Sequence, residues 1–376
     1  MIKTPRTIIV FTTGLSTGGA EMMLLKIVRF FKGSEIKLLI VSLGPNSFIA
    51  DAIEQEGALV YKIGLSKNVF SIFRLLKIIP ILWSYGPAVY QGWMYHGNII
   101  AVLANLFRPS LMTFISIRKT LNSLRGEGLL FRLAVRMDAI LSHFSEKIVF
   151  VSEEAIGFHH SIGYPLEKSC VIHNGFDVNH YRPDRQEGLK LRQTYGIPER
   201  AIVIGNIGRF HRMKNHEGFF RSTLPLMLIN QDIHLLMVGK GVEAAAFFHL
   251  NGFECVQDRI HFMGEVADTL PYLRAMDIFC LNSSYGEGFP NVLGEAMATE
   301  VLCISTNVGS SKLVIGDTGV IIKPDDDNAL RESLERLILE GRSFRENMGR
   351  ASRDRIVKYF TIEETAKKFA RLWLGS

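Results

Sequence analysis

"AIVIGNIGRFHRMKNHEGFF", residues 201–220, runs from a short apolar, β-branched segment through a basic loop into a stretch patterned as a helix start. An apolar run of this length closed by glycine reads as a buried strand, and the loop-to-helix exit makes it half of a strand–helix–strand unit. The pattern recurs towards the C-terminus in "IHLLMVGKG" (233–241), "RIHFMGEV" (259–266), "MDIFCLNSS" (276–284), "VLCISTNVG" (301–309) and "GVIIKP" (319–324). It also recurs towards the N-terminus. "RTIIVF" (6–11) precedes the helix "GAEMMLLKIVRFF" (19–31), "IKLLIVSL" (36–43) precedes a short helix near Ile49, and "PAVYQGW" (87–93) precedes "HGNIIAVLANLF" (96–107). "LMTFISI" (111–117) and "KIVFVSEEA" (147–155) continue that series. Strands alternating with helices predict parallel sheets covered on both faces, an α/β fold of two Rossmann-like, doubly wound domains facing a cleft.

The two series are separated by "NGFDVNHYRPDRQEGLKLRQTYGIPER" (174–200), polar and rich in turn residues, which reads as a linker. The predicted organisation is an N-terminal domain over 1–178, a linker over 179–200, a second domain over 201–355, and a C-terminal helix over 356–376 that packs back on the first domain. Three amphipathic helices are expected at the end, in "DDDNALRESLERLILEG" (325–341), "SFRENMGRASRDRIVKYF" (343–360) and "TIEETAKKFARLWLG" (361–375), with acidic starts and basic later turns that complement the helix dipole.

With 376 residues and 47% apolar content the chain can fill two cores. Charge interrupts every apolar run, so no membrane span is predicted. Lys3 and Arg6 ahead of an apolar run imitate a signal peptide, but the run is short and enters a Gly-rich turn, so a first strand is expected. The four cysteines form no C-x-x-C pair, which fits a reducing cytosol. His159 and His160, and His211 and His216, are weak metal candidates. Asp325, Asp326 and Asp327 read either as metal carboxylates or as the cap and first turn of the helix they precede.

The net charge of +6 is unevenly spread. Between Gly57 and Gly126 there is no Asp or Glu, while Lys62, Lys67, Arg74, Lys77, Arg108, Arg118, Lys119 and Arg125 all fall there. One region of the first domain should therefore be electropositive. "NVFSIFRLLKIIPILW" (68–83), with Arg74 and Lys77 among large apolar residues, suits an interfacial helix on anionic lipid, and equally a packed helix with solvated charges. No nucleic-acid-binding module accompanies these residues.

Loops at the carboxyl ends of parallel strands are where ligands bind. "TTGLSTGGAEMML" (12–24) supplies Gly14, Gly18 and Gly19 at a helix start, without the spacing of a dinucleotide fingerprint or a P-loop. Arg209 and Lys214 place a planar fork and a point charge in one strand-to-helix loop, a pairing suited to a diphosphate. In "YGEGFPNVLGEAMA" (285–298), Glu287 precedes a helix with Pro290 in its first position, and Glu295 lies more than one turn inside. Helical side chains lean towards the N-terminus, so both carboxylates can reach one ligand, and beside an anion site they suit sugar or ribose hydroxyls.

These motifs resemble the retaining GT-B glycosyltransferases, specifically glycosyltransferase family 4 (glycosyl transferases group 1), over nearly the whole chain. "GGAE" (18–21), "MYH" (94–96), "HNGFD" (173–177), the Arg209 and Lys214 loop and "GEGFPNVLGEAMA" (286–298) carry the resemblance. It implies that Glu295 binds the ribose of a nucleotide sugar and Glu287 a hydroxyl of the transferred sugar. Arg209 and Lys214 would hold the diphosphate, with Gly288, Phe289, Pro290 and Asn291 completing the donor loop. Gly18 and Gly19 would border the reaction centre, and His96 would contact the donor sugar near its reacting carbon. The chain departs from the family where "ATEVLCIS" (298–305) lacks a common Gly and Pro, and where Thr306–Asn307 replaces a common Thr-Asp, which leaves donor-sugar selectivity near Thr306 to Ser311 open.

The activity expected is retaining hexosyl transfer from a UDP-sugar to a glycan or lipid-linked acceptor in cell-surface polysaccharide or lipopolysaccharide synthesis. No cofactor and no metal are expected, and no nucleic-acid partner. The expected location is cytoplasmic, with peripheral contact at the inner face of the plasma membrane. A nucleotide-sugar epimerase of the same fold and a catalytically silent nucleotide-sugar-binding protein are the alternatives.

Overall fold

The computed structural model describes residues 7–16, 18–66, 68–121, 123–124 and 127–375, without the side chains of Val69 and Phe70. Lys3, Arg6, Lys67 and Arg125 of the basic pattern lie outside the described residues. The chain divides into two compact units: one runs to Gly175 and resumes at Ile362, and the other spans Phe176–Thr361.

In the first unit the order is β1 (Thr7–Thr12), α1 (Gly19–Phe31), β2 (Lys37–Ser42), α2 (Phe48–Gln55), β3 (Leu59–Lys62), a 3-10 segment (Val69–Lys77), α3 (Ile78–Ser84), β4 (Val89–Trp93), α4 (Tyr95–Phe107), β5 (Met112–Ile117), α5 (Leu129–Leu141), β6 (Lys147–Phe150), α6 (Glu153–Ser161) and β7 (Ser169–Val171). The seven strands pair in the order β3-β2-β1-β4-β5-β6-β7, and every pair is parallel. Ile8, Ile9, Val10 and Phe11 are wholly buried, as a central parallel strand covered on both faces requires.

The second unit holds α7 (Arg185–Thr194), β8 (Ile202–Ile207), α8 (His216–Ile229), β9 (Ile233–Val238), β10 (Ile260–Gly264), α9 (Leu270–Arg274), β11 (Ile278–Leu281), α10 (Asn291–Ala298), β12 (Leu302–Thr306), α11 (Ser311–Ile315), β13 (Val320–Ile322), α12 (Asp327–Leu339) and α13 (Gly341–Tyr359). Its six strands run in the order β10-β9-β8-β11-β12-β13, again all parallel. The last helix, α14 (Ile362–Leu374), belongs to the first unit. There it packs against α1 and buries Ile362, Ala366, Phe369 and Trp373. Each of the large side chains contributes about 1.5–3 kcal/mol of burial. The Trp373 indole donates to Gln91 Oε1 at 2.9 Å, so burying it leaves no donor unpaired.

The polar stretch read as a linker carries α7, capped by Asp184 accepting from the Glu187 amide at 3.0 Å. Arg192 secures this helix to the second unit through Asp277 at 2.8 Å and the Ala275 carbonyl at 2.9 Å. Its polar composition reflects a helix that buries little beyond Gly188 and Arg192.

In both sheets the strand order reverses direction beside the first strand of the unit, between β1 and β4 and between β8 and β11. Crossovers leave such a pair in opposite directions, so the loops above it splay apart and open a crevice at the carboxyl edge. The loops after β1 and β4 and after β8 and β11 lie at these two places, whereas the Thr306–Ser311 segment follows β12.

Candidate active site

After β8 the chain passes Gly208 and Arg209, makes a 3-10 turn over Arg212–Lys214 and enters α8. Asn215, at φ 47°, makes the left-handed step that Asn tolerates, and its side chain accepts from the Gly218 amide at 3.1 Å, capping α8. Lys214 is therefore fixed at the last position before the cap. Its Nζ donates to Glu287 Oε1 at 2.5 Å, and the Ser283 hydroxyl donates to the same oxygen at 2.5 Å. Lys214 and Glu287 are 15% and 10% exposed in their side chains. The Ser284 amide donates to the Met213 carbonyl at 2.8 Å and the Asn282 amide group to the Asn215 carbonyl at 3.2 Å, joining the loops after β8 and β11. Arg209, in the same loop as Lys214, is exposed.

Glu287 is thus neither a surface charge nor a simple helix-dipole carboxylate. Gly309, at φ 56°, lies under its loop: a Cβ there would come within 2.2 Å of the Glu287 carbonyl oxygen. The Ser310 amide donates to the Gly288 carbonyl at 2.9 Å, and the Thr306 hydroxyl to the Ser283 carbonyl at 2.6 Å. At the departure from the family pattern, then, Thr306 is a buried brace for the Glu287 loop and Asn307 is exposed. Phe289 is buried against Phe176 and Phe360, with ring centroids 6.1 and 5.7 Å away. Pro290 is the extended N-cap of α10, not its first helical residue, and Asn291 opens the helix. Glu295 is buried one turn further along and hydrogen-bonds Tyr181, whose phenol burial pushes above its ordinary pKa. Sequence reading missed Tyr181 because it sits in the stretch taken for a linker. Ser283 and Gly309 gave no signal beyond their nearness to strand ends.

The three aspartates act as local anchors. Asp326 accepts from the Ala329 amide at 2.9 Å as the cap of α12, Asp327 pairs with Arg221 at 2.7 Å, and Asp325 accepts from Asn215 and Ser284. His211 caps its own turn by accepting from the Met213 amide at 3.2 Å. His216 donates to the Gly208 carbonyl at 3.3 Å, and burial lowers its pKa to about 4. Among the described residues no group of three or more His, Cys, Asp or Glu is placed to hold a metal ion.

In the first unit Gly18 is the extended N-cap of α1, and Gly19 opens that helix beyond β1. A Cβ at Gly18 would fall 2.4 Å from Glu21 Oε2, and burial raises the pKa of Glu21. His96 is the second residue of α4, beyond β4. It is exposed, yet the protein crowded around it holds its pKa below the ordinary imidazole value. The Trp93 indole donates to the Ala20 carbonyl at 2.9 Å, tying the two loops together across the β1–β4 reversal.

The basic run of the first unit is dispersed. Lys62 pairs with Glu54 at 2.9 Å and Asp51 at 3.3 Å, and Lys119 pairs with Glu127 at 3.0 Å. Arg118 is buried beside the rings of Trp93 and Phe369 and donates to the Ile172 carbonyl at 3.1 Å. Arg108 donates to the Leu82 carbonyl and lies over Trp83. The segment around Arg74 and Lys77 is two-sided: Ile78, Ile81 and Leu82 are buried, whereas Ile72, Phe73, Leu76, Ile79 and Trp83 are exposed. On α5, Leu129, Leu130, Leu133, Met137 and Ile140 form a second exposed apolar stripe. None of the helices is long and apolar enough to cross a membrane among the described residues.

Residues 201–340 match the family model described as "Glycosyl transferases group 1". The chain is 30% identical over 350 residues to the lipopolysaccharide core biosynthesis mannosyltransferase LpsB of Rhizobium meliloti (strain 1021), spanning 88% of this chain and 93% of that protein. It is 28% identical over 231 residues to N-acetyl-alpha-D-glucosaminyl L-malate synthase of Bacillus anthracis, a match that spans 61% of this chain and 59% of that relative. Among solved structures, Anabaena HepE in complex with UDP superposes with a TM-score of 0.83 at 16% identity, covering 99% of this chain and all of that one (100%).

Proposed function

This chain belongs to the group 1 glycosyl transferases of GT-B fold, and we propose that it moves a sugar, with retention, from a UDP-sugar to a hydroxyl of a glycan or lipid-linked acceptor in cell-surface polysaccharide synthesis. The observation that carries this reading is the cluster of Lys214, Ser283 and Glu287 at the β8–β11 reversal, with Arg209 exposed in the same loop as Lys214. Lys214 and Arg209 supply positive charge where a diphosphate would leave, and Glu287 can exchange its Lys214 contact for a sugar hydroxyl. Glu295, steadied by Tyr181, serves the ribose, and the backbone from Gly288 to Asn291 closes the donor loop. From the first unit, Gly18, Gly19 and His96 take the roles that the family resemblance gives them.

The bond from the anomeric carbon to the diphosphate breaks as the bond to the acceptor oxygen forms on the same face. The acceptor proton passes to the departing phosphate oxygen. Two cations neutralising the leaving group make the reading metal-independent, since preorganised charge at the developing anion lowers the barrier directly. Thermal-shift screening against UDP-, GDP-, ADP- and TDP-sugars tests it, because a ligand at 100 times its Kd stabilises by about 2.7 kcal/mol. A UDP-sugar should give the largest shift, and turnover should require an acceptor. Acceptor-independent conversion of the sugar would indicate an epimerase, and tight binding without turnover a silent binder.

For the acceptor side, the exposed apolar residues around Arg74 and Lys77, with the α5 stripe flanked by Arg132 and Arg136, support docking on an anionic bilayer at the inner face of the plasma membrane. Flotation with anionic but not neutral liposomes is expected, reduced by Phe73→Ser/Trp83→Ser. Equal failure to float with either would overturn this assignment.

A further inference from the structure

The turn that presents His96 is unusual. Met94, between β4 and α4, has φ 68° and ψ 163°, a conformation that only glycine adopts without strain. Such a turn persists only where its surroundings over-determine it, and here they do. The Met94 amide donates to the Ser116 carbonyl at 3.0 Å, and the Met94 carbonyl accepts from the Asn98 amide at 2.8 Å. The side chain of Asn98, wholly buried, spans two neighbours: its Oδ1 accepts from the Ser116 amide at 3.1 Å and its Nδ2 donates to Asp138 Oδ2 at 3.0 Å. Asp138, wholly buried on α5, is held in turn by the Tyr164 hydroxyl at 2.8 Å.

Two glycines let Asn98 into this place. A Cβ at Gly92 would meet Asn98 Cα at 2.5 Å, and one at Gly97 would meet the Phe11 carbonyl oxygen at 2.2 Å. Tyr95, on the other side of His96, is buried and bonded to His159 Nε2 at 3.0 Å. Residues 95, 97 and 98 are therefore all locked into the unit, and His96 alone projects outward.

We propose that Asn98, seated on Asp138, is a positioning residue that holds the strained turn after β4 and thereby fixes the direction of the His96 side chain. The proposal rests on the reading of His96 as a residue of the reaction centre. Its geometry can be tested apart from that reading, by NMR of ring-labelled histidine in the full-length protein with the His96 peak assigned from His96→Ala.

In Asn98→Ala the His96 peak should shift and broaden. In the swapped pair Asn98→Asp/Asp138→Asn, which keeps both the Ser116 contact and the bond across the pair, it should return to the wild-type position. A folded Asn98→Ala with an unmoved His96 peak overturns the proposal. Should Asn98→Ala not fold, a folded swapped pair decides: an unmoved peak supports the proposal and a displaced one overturns it. Turnover of the nucleotide sugar giving the largest thermal shift supplies the second readout. Asn98→Ala should lower kcat about 10²-fold in the wild-type background, the scale of a misplaced reacting group, and cause no further loss in His96→Ala. Losses that multiply independently would overturn positioning through His96. Wild-type turnover by His96→Ala would instead remove the role of His96 and leave the NMR result to judge the turn.

Discussion

Replacing Lys214 by methionine separates what the Lys214–Glu287 contact does for folding from what it does for the donor. At 2.5 Å, and an effective dielectric of about 20, the gross attraction is about 6–7 kcal/mol. Desolvation of both ions offsets much of that, and a partner left alone in a mostly buried site costs about 3–5 kcal/mol. Because both side chains keep some exposure, the lower end, about 3 kcal/mol, is expected for Lys214→Met. That corresponds to a Tm lower by about 6–12 °C for a unit of this size. Loss of one charge-assisted hydrogen bond should weaken UDP binding by about 1.5–3 kcal/mol, or about 10- to 150-fold in Kd. Turnover should fall about 10²- to 10³-fold. In Lys214→Met/Glu287→Gln the unpaired charge is gone while Ser283 keeps an acceptor, so most of the Tm should return although UDP affinity and turnover do not. Calorimetry and UDP titration read these quantities directly. A Kd for UDP within about threefold of wild type, or a double variant as unstable as the two singles added together, would refute the reasoning.

Burial raises the Asp138 pKa to about 7 from an ordinary 3.8, so the folded state holds its proton more tightly than the unfolded chain. Stability should therefore fall as pH rises from about 4 to about 7, by up to about 4 kcal/mol, and Asp138→Asn should flatten that slope in urea titrations. Gly309→Ala, with φ 56° and a Cβ directed at the Glu287 carbonyl, should shift the donor loop and cost about 1–3 kcal/mol in strain alone, read as lower Tm and weaker UDP binding. Tyr181→Phe should leave Glu295 loosely held and narrow the difference in affinity between UDP and its 2′-deoxy analogue. An unchanged ratio would release Tyr181 from that role.

The alternation of short apolar runs and helical patterns marked all six strands of the second sheet and five of the seven in the first, because period and loop chemistry are local; β3 and β7 went unread, being only four and three residues long and without a buried residue. "AIVIGNIGRF" became β8, and each of the five later runs became a strand of the same sheet. The loops after β1, β8 and β11 were legible as candidate sites for the same reason: a strand end and a helix start are both written in adjacent residues; the loop after β4 entered only through the family resemblance of "MYH". Their pairing was not. Lys214 and Glu287 are 73 residues apart, and the ion pair exists only because β8 and β11 are neighbours at the reversal of strand order. Gly309 under Glu287, Tyr181 on Glu295 and the Asn98–Asp138 seat beneath the Met94 turn likewise depend on which side chains the sheets bring within hydrogen-bonding reach. Sequence alone thus determined most of the elements, though not β3, β7 or the helix α7 inside the stretch read as a linker, and the chemical kinds of residue at their ends. The tertiary structure alone decided which of those residues touch, because contact across tens of residues follows from strand order and burial, and neither is encoded within any one stretch of the chain.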